Sequence, residues 1–223
     1  GNGWLGSDRG HGHCVYTQND LGVKTISNCI MTCPYDGCYT MHAYGSEKAS
    51  VNNYRLTENI CYKKGPFLVG GASPSQGIYV HRNILYGIDM QIGYTAAYNE
   101  DCEILDNVVV NGKLETVRYR KVTWEGNLVL PSGQANRPSK NKFILLPNRY
   151  DRNRAHLAVF NWDNTGFVPV EPGRFLDEGD TVELLDPEDP FGSPVVTLVC
   201  RKGVIHVPTP QEFAVFVLRV VRR

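Results

Sequence analysis

The sequence predicts an all-β chain: a solenoid of about five stacked coils followed by a small antiparallel β-sandwich. Two observations predict the solenoid. Asn28, Asn59, Asn83, Asn107 and Asn127 each sit in a short β-like segment with an apolar residue directly behind. They recur at intervals of 31, 24, 24 and 20 residues, and a period of roughly 20–50 residues with one strand-rich unit each marks a solenoid. The third observation concerns the rest of the chain. Beyond residue 141 the repeat stops, and short apolar or alternating runs follow between Asp-, Gly- and Pro-rich turns, as antiparallel strands do.

The asparagine segments come first. A single strand-rich coil cannot bury its apolar face, so coils must stack, with strands about 4.8 Å apart. A side-chain amide carries donors and an acceptor, so asparagines at equivalent corners satisfy one another along the stack. Read with strict period-2 alternation, Cys29, Ile60, Ile84, Val108 and Leu128 point inward. So do Met31, Tyr62, Tyr86, Val110 and Leu130. The residues between them, Ile30, Cys61, Leu85, Val109 and Val129, then form an outward apolar stripe. A stripe of that length requires a cover, supplied by the C-terminal domain or by a second subunit. A further strand is expected ahead of each asparagine segment, at Cys14–Gln18, Thr40–Tyr44, Phe67–Gly70, Asp89–Ile92 and Thr116–Tyr119. Gly70-Gly71 and Ser73-Pro74-Ser75 read as loop, since no lysine follows at phosphate-cradle spacing.

The boundaries follow. Residues 1–130 are the helical stack. Residues 131–141, a polar run rich in Pro, Ser and Gly, are a linker. Residues 142–223 hold about seven short strands, the spacing of a sandwich. The acidic runs Asp177–Asp180 and Asp186–Asp189 read as solvated loops without the ligand pattern of a calcium site.

Composition limits the partners. Formal charge is zero with no basic block, which disfavours nucleic acid, and no segment is apolar and long enough to span a bilayer. The opening Gly1-Asn2-Gly3-Trp4 resembles the text after another coil's strand, so a coil upstream is expected, and with it an exposed strand edge that an oligomer would cover. Of the seven cysteines, Cys33 and Cys38 bracket a Pro-Tyr-Asp-Gly turn and pair if the compartment oxidises. Cys29 inward and Cys61 outward are not expected to pair.

With the asparagine column in place, the chain resembles right-handed parallel β-helix proteins, the architecture of pectate-lyase-like polysaccharide lyases, polygalacturonase-like hydrolases and several carbohydrate-binding domains. The stretch from Asp8 through His11-Gly12-His13-Cys14-Val15-Tyr16 to Asp20, with Met41-His42-Ala43-Tyr44, is similar to bacterial and environmental β-helix repeat proteins. Val159-Phe160-Asn161-Trp162-Asp163 and Glu212-Phe213-Ala214-Val215-Phe216-Val217 resemble the small β domain that follows the helix in such proteins. The resemblance implies a polysaccharide or oligosaccharide partner and a secreted or periplasmic location. The lyases' calcium carboxylate cluster and the hydrolases' adjacent aspartates are not found in this sequence, so it transfers no catalytic residue.

The residues themselves offer a cluster on the first two coils. Aligning Val15 with Met41 places Tyr16 beside His42 and Gln18 beside Tyr44, and the surface continues through Val69 and Gln91. For a lyase, His13 or His42 is the base, Tyr16 or Tyr44 the acid, and Arg9 or Lys48 neutralises a sugar carboxylate. For a hydrolase, which needs two opposed carboxylates, Asp20 and Glu47 are the available pair. For binding without chemistry, Tyr16, Tyr44, Tyr94, Tyr98, Trp4 and Gln91 stack on sugar faces and bond hydroxyls. A structural role for His11 and for the strand tyrosines is the third alternative. Glu58, Arg82 and Asp106 read as a stabilising charge ladder. No cofactor is assigned. Calcium, or a transition metal on His11, His13 and His42, stays open.

Overall fold

The computed structural model describes residues 3–8, 10–134 and 136–222, and the chain divides into two compact units, 1–135 and 136–223. The first unit is a parallel β-helix of five coils with three strands to a coil, preceded in the first coil by one short antiparallel strand. Coil one holds β1 (Trp4–Leu5), β2 (Gly10–Thr17), β3 (Lys24–Ser27) and β4 (Ile30–Cys33). Coil two holds β5 (Cys38–Gly45), β6 (Tyr54–Thr57) and β7 (Ile60–Lys63), and coil three β8 (Phe67–Gly71), β9 (Ile78–His81) and β10 (Ile84–Tyr86). Coil four holds β11 (Met90–Ile92), β12 (Asn99–Leu105) and β13 (Val108–Val110), and coil five β14 (Leu114–Thr116), β15 (Tyr119–Glu125) and β16 (Leu128–Leu130). They stack into a first sheet β1-β2-β5-β8-β11-β14, a second β3-β6-β9-β12-β15 and a third β4-β7-β10-β13-β16.

Each asparagine segment is a corner between two strands. A residue with positive φ turns the chain: Glu58 at 58°, Arg82 at 55°, Asp106 at 54° and Gly126 at 67°. The asparagine follows. The side-chain amide of Asn59 donates to Asn83 Oδ1 at 3.0 Å, Asn83 to Asn107 at 3.0 Å and Asn107 to Asn127 at 2.9 Å. Each accepting oxygen also takes the backbone N–H of the asparagine before it, at 3.1, 3.0 and 2.9 Å. The ladder therefore satisfies backbone and side chain together at a buried corner, as buried polar groups require.

The column has four asparagines. Asn28 is itself the positive-φ residue, at 53°, and Ile30 pairs with Ile60, so Cys29 takes the ladder position and donates its N–H to Asn59 Oδ1 at 3.2 Å. From the second coil on, the expected polarity of the third sheet is reversed, while in the first coil Met31 and Cys29 face the core as expected. Cys61, Leu85 and Val109 are fully buried in the helix core with Met31, and half-buried Cys29 and Val129 pack against that core. Period-2 counting cannot be carried through a left-handed corner, which resets the phase. Most of the apolar stripe expected to face outward thus lines the core, and the alternate positions Ile60, Ile84 and Val108, apolar as well, are buried outside that core.

Other expectations shift locally. β1 pairs antiparallel with the start of β2, Trp4 against His11 and Leu5 against Gly10. Gly70 and Gly71 belong to β8 and are buried. The fifth leading strand is Leu114–Thr116, because Arg118 has φ 55° and turns the chain before Tyr119. Cys33 and Cys38 form a disulfide from β4 to β5, while Cys29 and Cys61, both turned toward the core, are thiols.

The second unit contains β17 (Lys142–Pro147), β18 (Arg154–Phe160), β19 (Phe167–Val170), β20 (Thr181–Leu185), β21 (Val196–Val199), β22 (Ile205–Pro208) and β23 (Phe213–Arg222). An antiparallel sheet β17-β18-β23-β20-β21 shares one core with the β19-β22 pair, through Leu157, Leu184 and Leu218 on one side and Val168, Val170 and Val207 on the other. The acidic loops close on themselves: Asp180 accepts the Asp177 N–H at 2.9 Å and Asp186 that of Glu188 at 2.8 Å.

Candidate functional site

The outer face of the first sheet carries a shallow groove of about 680 Å³ whose walls are rings. Its position follows from a slip in strand alternation. Cys14 and Val15 are consecutive, yet both pack against the helix core. Residues on either side, His13 and Tyr16, therefore both face outward. The next strand repeats this, pairing Tyr39 with His13 and His42 with Tyr16.

The groove holds two sets of aromatic contacts, a Trp4–His11 stack and a linked run from His13 to Tyr94. Trp4 stacks on His11 with centroids 4.9 Å apart at 16°. His13 lies 4.8 Å from His42, and Tyr39 stacks on His42 at 4.0 Å and 6°. Tyr16 meets His42 edge-on at 5.3 Å, and Tyr44 lies 5.0 Å from His42 and 5.8 Å from Tyr94. Leu68, the pairing partner of His42, supplies an apolar patch of floor.

The two central imidazoles are bonded to each other, with Nδ1 of His42 and Nδ1 of His13 3.1 Å apart. Two neutral rings bond this way when one is the Nδ1–H tautomer and the other presents its Nδ1 lone pair. Burial lowers the His42 pKa to about 4, assisted by the adjacent His13. Burial also lowers the pKa of His13. Both rings are therefore uncharged at neutral pH.

Among the described residues no Lys, Arg, Asp or Glu lines the groove. Asp20 is exposed and accepts from Asn52 Nδ2 at 3.3 Å. Glu47 and Lys48 are exposed, on the turn after β5. The structure therefore does not bring Asp20 and Glu47 together across the groove, as a hydrolase pair would require. Gln18 donates to the Tyr44 carbonyl at 3.1 Å. Gln91 pairs with Leu68 one strand past His42 and donates to the Gly93 carbonyl at 3.0 Å. The outward row thus runs Tyr16, His42, Leu68, Gln91, and Val69, expected in it, is core. Arg9 lies outside the described residues. Tyr98 is away from the groove, under the Arg120 guanidinium at 3.9 Å.

Sequence reasoning gathered His13, Tyr16, His42 and Tyr44 and missed Tyr39. Strict alternation from Met41 turns Tyr39 inward. The available signal was its offset of 26 residues from His13, the same as that between Tyr16 and His42.

Among the described residues no group of three or more His, Cys, Asp or Glu side chains is placed to hold a metal ion. His13 and His42 bond each other through Nδ1, and His11 bonds Asp8 at 3.0 Å. The three histidines do not converge, so this donor set does not fit a transition metal. Among the described residues no helix is long and apolar enough to cross a membrane.

A second polar cluster lies on the outer face of the second sheet. Tyr79 Oη is 3.0 Å from His81 Nδ1, and His81 Nε2 is 3.1 Å from Asp106. Asp106 thus bonds histidine, while Arg82 and Glu58 pair at 3.2 Å. The expected charge ladder exists in part.

The shifted imidazoles carry a stability consequence. His42 in the first unit and His156 in the second both have folded pKa values near 4, against 6.5 for the free side chain. Burial is the main cause in each, with Arg154 adding at His156. A lowered folded pKa means that the unfolded chain takes up protons first. The stability contributed by the neutral rings is complete above about pH 6.5 and declines as pH falls toward 4. Thermal melts at intervals across that window should show falling transition temperatures, with a shallower fall for the first unit in His42→Phe. An identical slope in the variant would contradict the assignment.

In comparisons with known proteins, no family model, no curated protein and no solved structure matches this chain.

Proposed function

We propose that the first-sheet groove binds a glycan chain. One observation carries this reading: a linked series of rings, from His13 through Tyr39 and His42 to Tyr44 and Tyr94, with the Trp4–His11 stack lining the same groove, on the face of a regular sheet. Aromatic side chains combine an apolar face with a polar tip, and a sugar ring presents the complementary pair, a C–H face and a rim of hydroxyls. From Trp4 on β1 to Tyr94 just after β11 the groove crosses four strand spacings, about 19 Å, which suits several residues of a linear polymer. The parallel β-helix supports a place among pectate-lyase-like carbohydrate-active proteins. The Cys33–Cys38 disulfide supports a secreted or periplasmic location.

Cleavage is the second reading, favoured by the His13–His42 pair. With complementary tautomers, one ring keeps a free Nε2 lone pair and the other an Nε2–H, a base and an acid side by side. Tyr16 or Tyr44 would then protonate a leaving oxygen. Hydrolysis by two carboxylates is disfavoured by the groove lining. The deciding experiment incubates the protein with a panel of polysaccharides and follows both binding and products. Binding with neither new reducing ends nor unsaturated-product absorbance supports recognition alone. Unsaturated products lost in His42→Phe support elimination. No binding to any polymer removes the proposal.

A further inference from the structure

Resting on the glycan reading, we infer that the His13–His42 pair is a specificity element that reads two adjacent hydroxyls of an uncharged sugar. The mutual Nδ1 bond at 3.1 Å has a consequence at the opposite edges of the rings. The ring that donates through Nδ1 has an unprotonated Nε2, which accepts. The ring that accepts through Nδ1 carries its proton on Nε2, which donates. The pair therefore offers one donor and one acceptor as a unit, and neither ring can change role without the other. Adjacent hydroxyls match this demand, one giving its proton to the bare Nε2 and its neighbour accepting from the Nε2–H. A carboxylate, which only accepts, satisfies half of the pair and leaves the other nitrogen facing a like acceptor.

The surroundings hold the pair in that state. Tyr39 lies flat on His42 at 4.0 Å and fixes its plane, and Tyr16 and Tyr44 border it within 5.3 and 5.0 Å. Burial keeps both imidazoles neutral at neutral pH. No charged side chain among the described residues lines the groove, so none of these residues would neutralise a uronate, whose desolvation carries a cost. Uncharged polymers whose internal rings keep adjacent free hydroxyls are the ligand class that fits.

The test is calorimetric titration of the whole chain with three oligosaccharide series of equal length. Cello-oligosaccharides are uncharged and keep adjacent hydroxyls on every internal ring. Laminari-oligosaccharides are uncharged, and their internal rings lack them. Oligogalacturonates keep them but carry carboxylates. The expected result is tightest binding of the first series, with the other two weaker by about tenfold or more, the worth of one to two hydrogen bonds. His13→Phe and His42→Phe retain a ring for stacking and should each erase the difference between the first two series, with folding checked by circular dichroism. Equal affinity for laminari-oligosaccharides overturns the inference about adjacent hydroxyls, and equal affinity for oligogalacturonates overturns that of an uncharged ligand. In either case glycan recognition itself stands. Unchanged discrimination in the phenylalanine variants moves the specificity away from the pair. Failure of all three series to bind removes this inference and, should the wider polysaccharide panel also fail, the glycan reading beneath it.

Discussion

Replacing Asn83 with leucine is expected to destabilise the β-helix unit by about 4 kcal/mol, near the upper end for a single substitution. Five hydrogen bonds meet at this side chain, the longest of them to the His81 carbonyl at 3.4 Å. Its oxygen accepts the N–H of Asn59 at 3.1 Å and the amide of Asn59 at 3.0 Å, and its own amide donates to the Leu56 carbonyl at 2.8 Å and to Asn107 Oδ1 at 3.0 Å. Asn83, Asn59 and Asn107 are fully buried. Leucine therefore leaves a buried N–H and a buried carbonyl without partners, each costing about 1–3 kcal/mol, and its extra hydrophobicity does not offset that at a polar corner. The matched control is Asn28→Gly. Asn28 Oδ1 makes no hydrogen bond, and its backbone φ of 53° suits glycine, so a change within about 0.5 kcal/mol is expected. Urea titration followed by far-ultraviolet circular dichroism compares the two. Equal losses would mean that the ladder contributes no more than an ordinary turn.

Gly71→Ala is expected to cost on the order of 3 kcal/mol, as overpacking between rigid elements does. A Cβ at Gly71 would stand 2.3 Å from the Gly45 carbonyl oxygen and 2.9 Å from Gly45 Cα. Both obstacles are backbone, paired across β5 and β8, so relief requires the coils to separate rather than a side chain to rotate. The same strands carry His42, Tyr44 and Leu68, and the substitution should weaken glycan binding together with stability. Retained melting temperature and retained affinity would contradict the close stacking of coils two and three. Gly166→Ala, where a Cβ meets nothing within 4 Å, is the neutral reference.

The solenoid was legible because identical side chains at equivalent corners have to repeat. The asparagines announce themselves through spacing alone. The corner between the first and second sheets was not legible, since in coils two to four Asn52, Ser75 and Asn99 stand there: Asn52 Oδ1 accepts from Gln76 N–H at 3.2 Å and Asn99 Oδ1 from Ser75 N–H at 2.9 Å. Mixed residue types perform one job there and leave no repeat to see. Phase was the second obstacle. Alternation is a property of one uninterrupted strand, and it fails wherever a positive-φ corner or two consecutive inward residues intervene. The first misplaced Cys61 and Leu85, and the second hid Tyr39 beneath a site otherwise gathered from His13, Tyr16, His42 and Tyr44. The absence of charge from the described groove lining was hidden as well, because Asp20, Glu47 and Lys48 are near neighbours of the site in sequence but do not line its walls.

The most direct measurement is a nuclear magnetic resonance titration of imidazole and aromatic side-chain signals with a cello-oligosaccharide. Saturable shifts at His13, Tyr39, His42 and Tyr44, with His81 and His156 unmoved, are the predicted result. Shifts centred on Tyr79 and His81, or none at any of these rings at millimolar ligand, would contradict a first-sheet glycan groove.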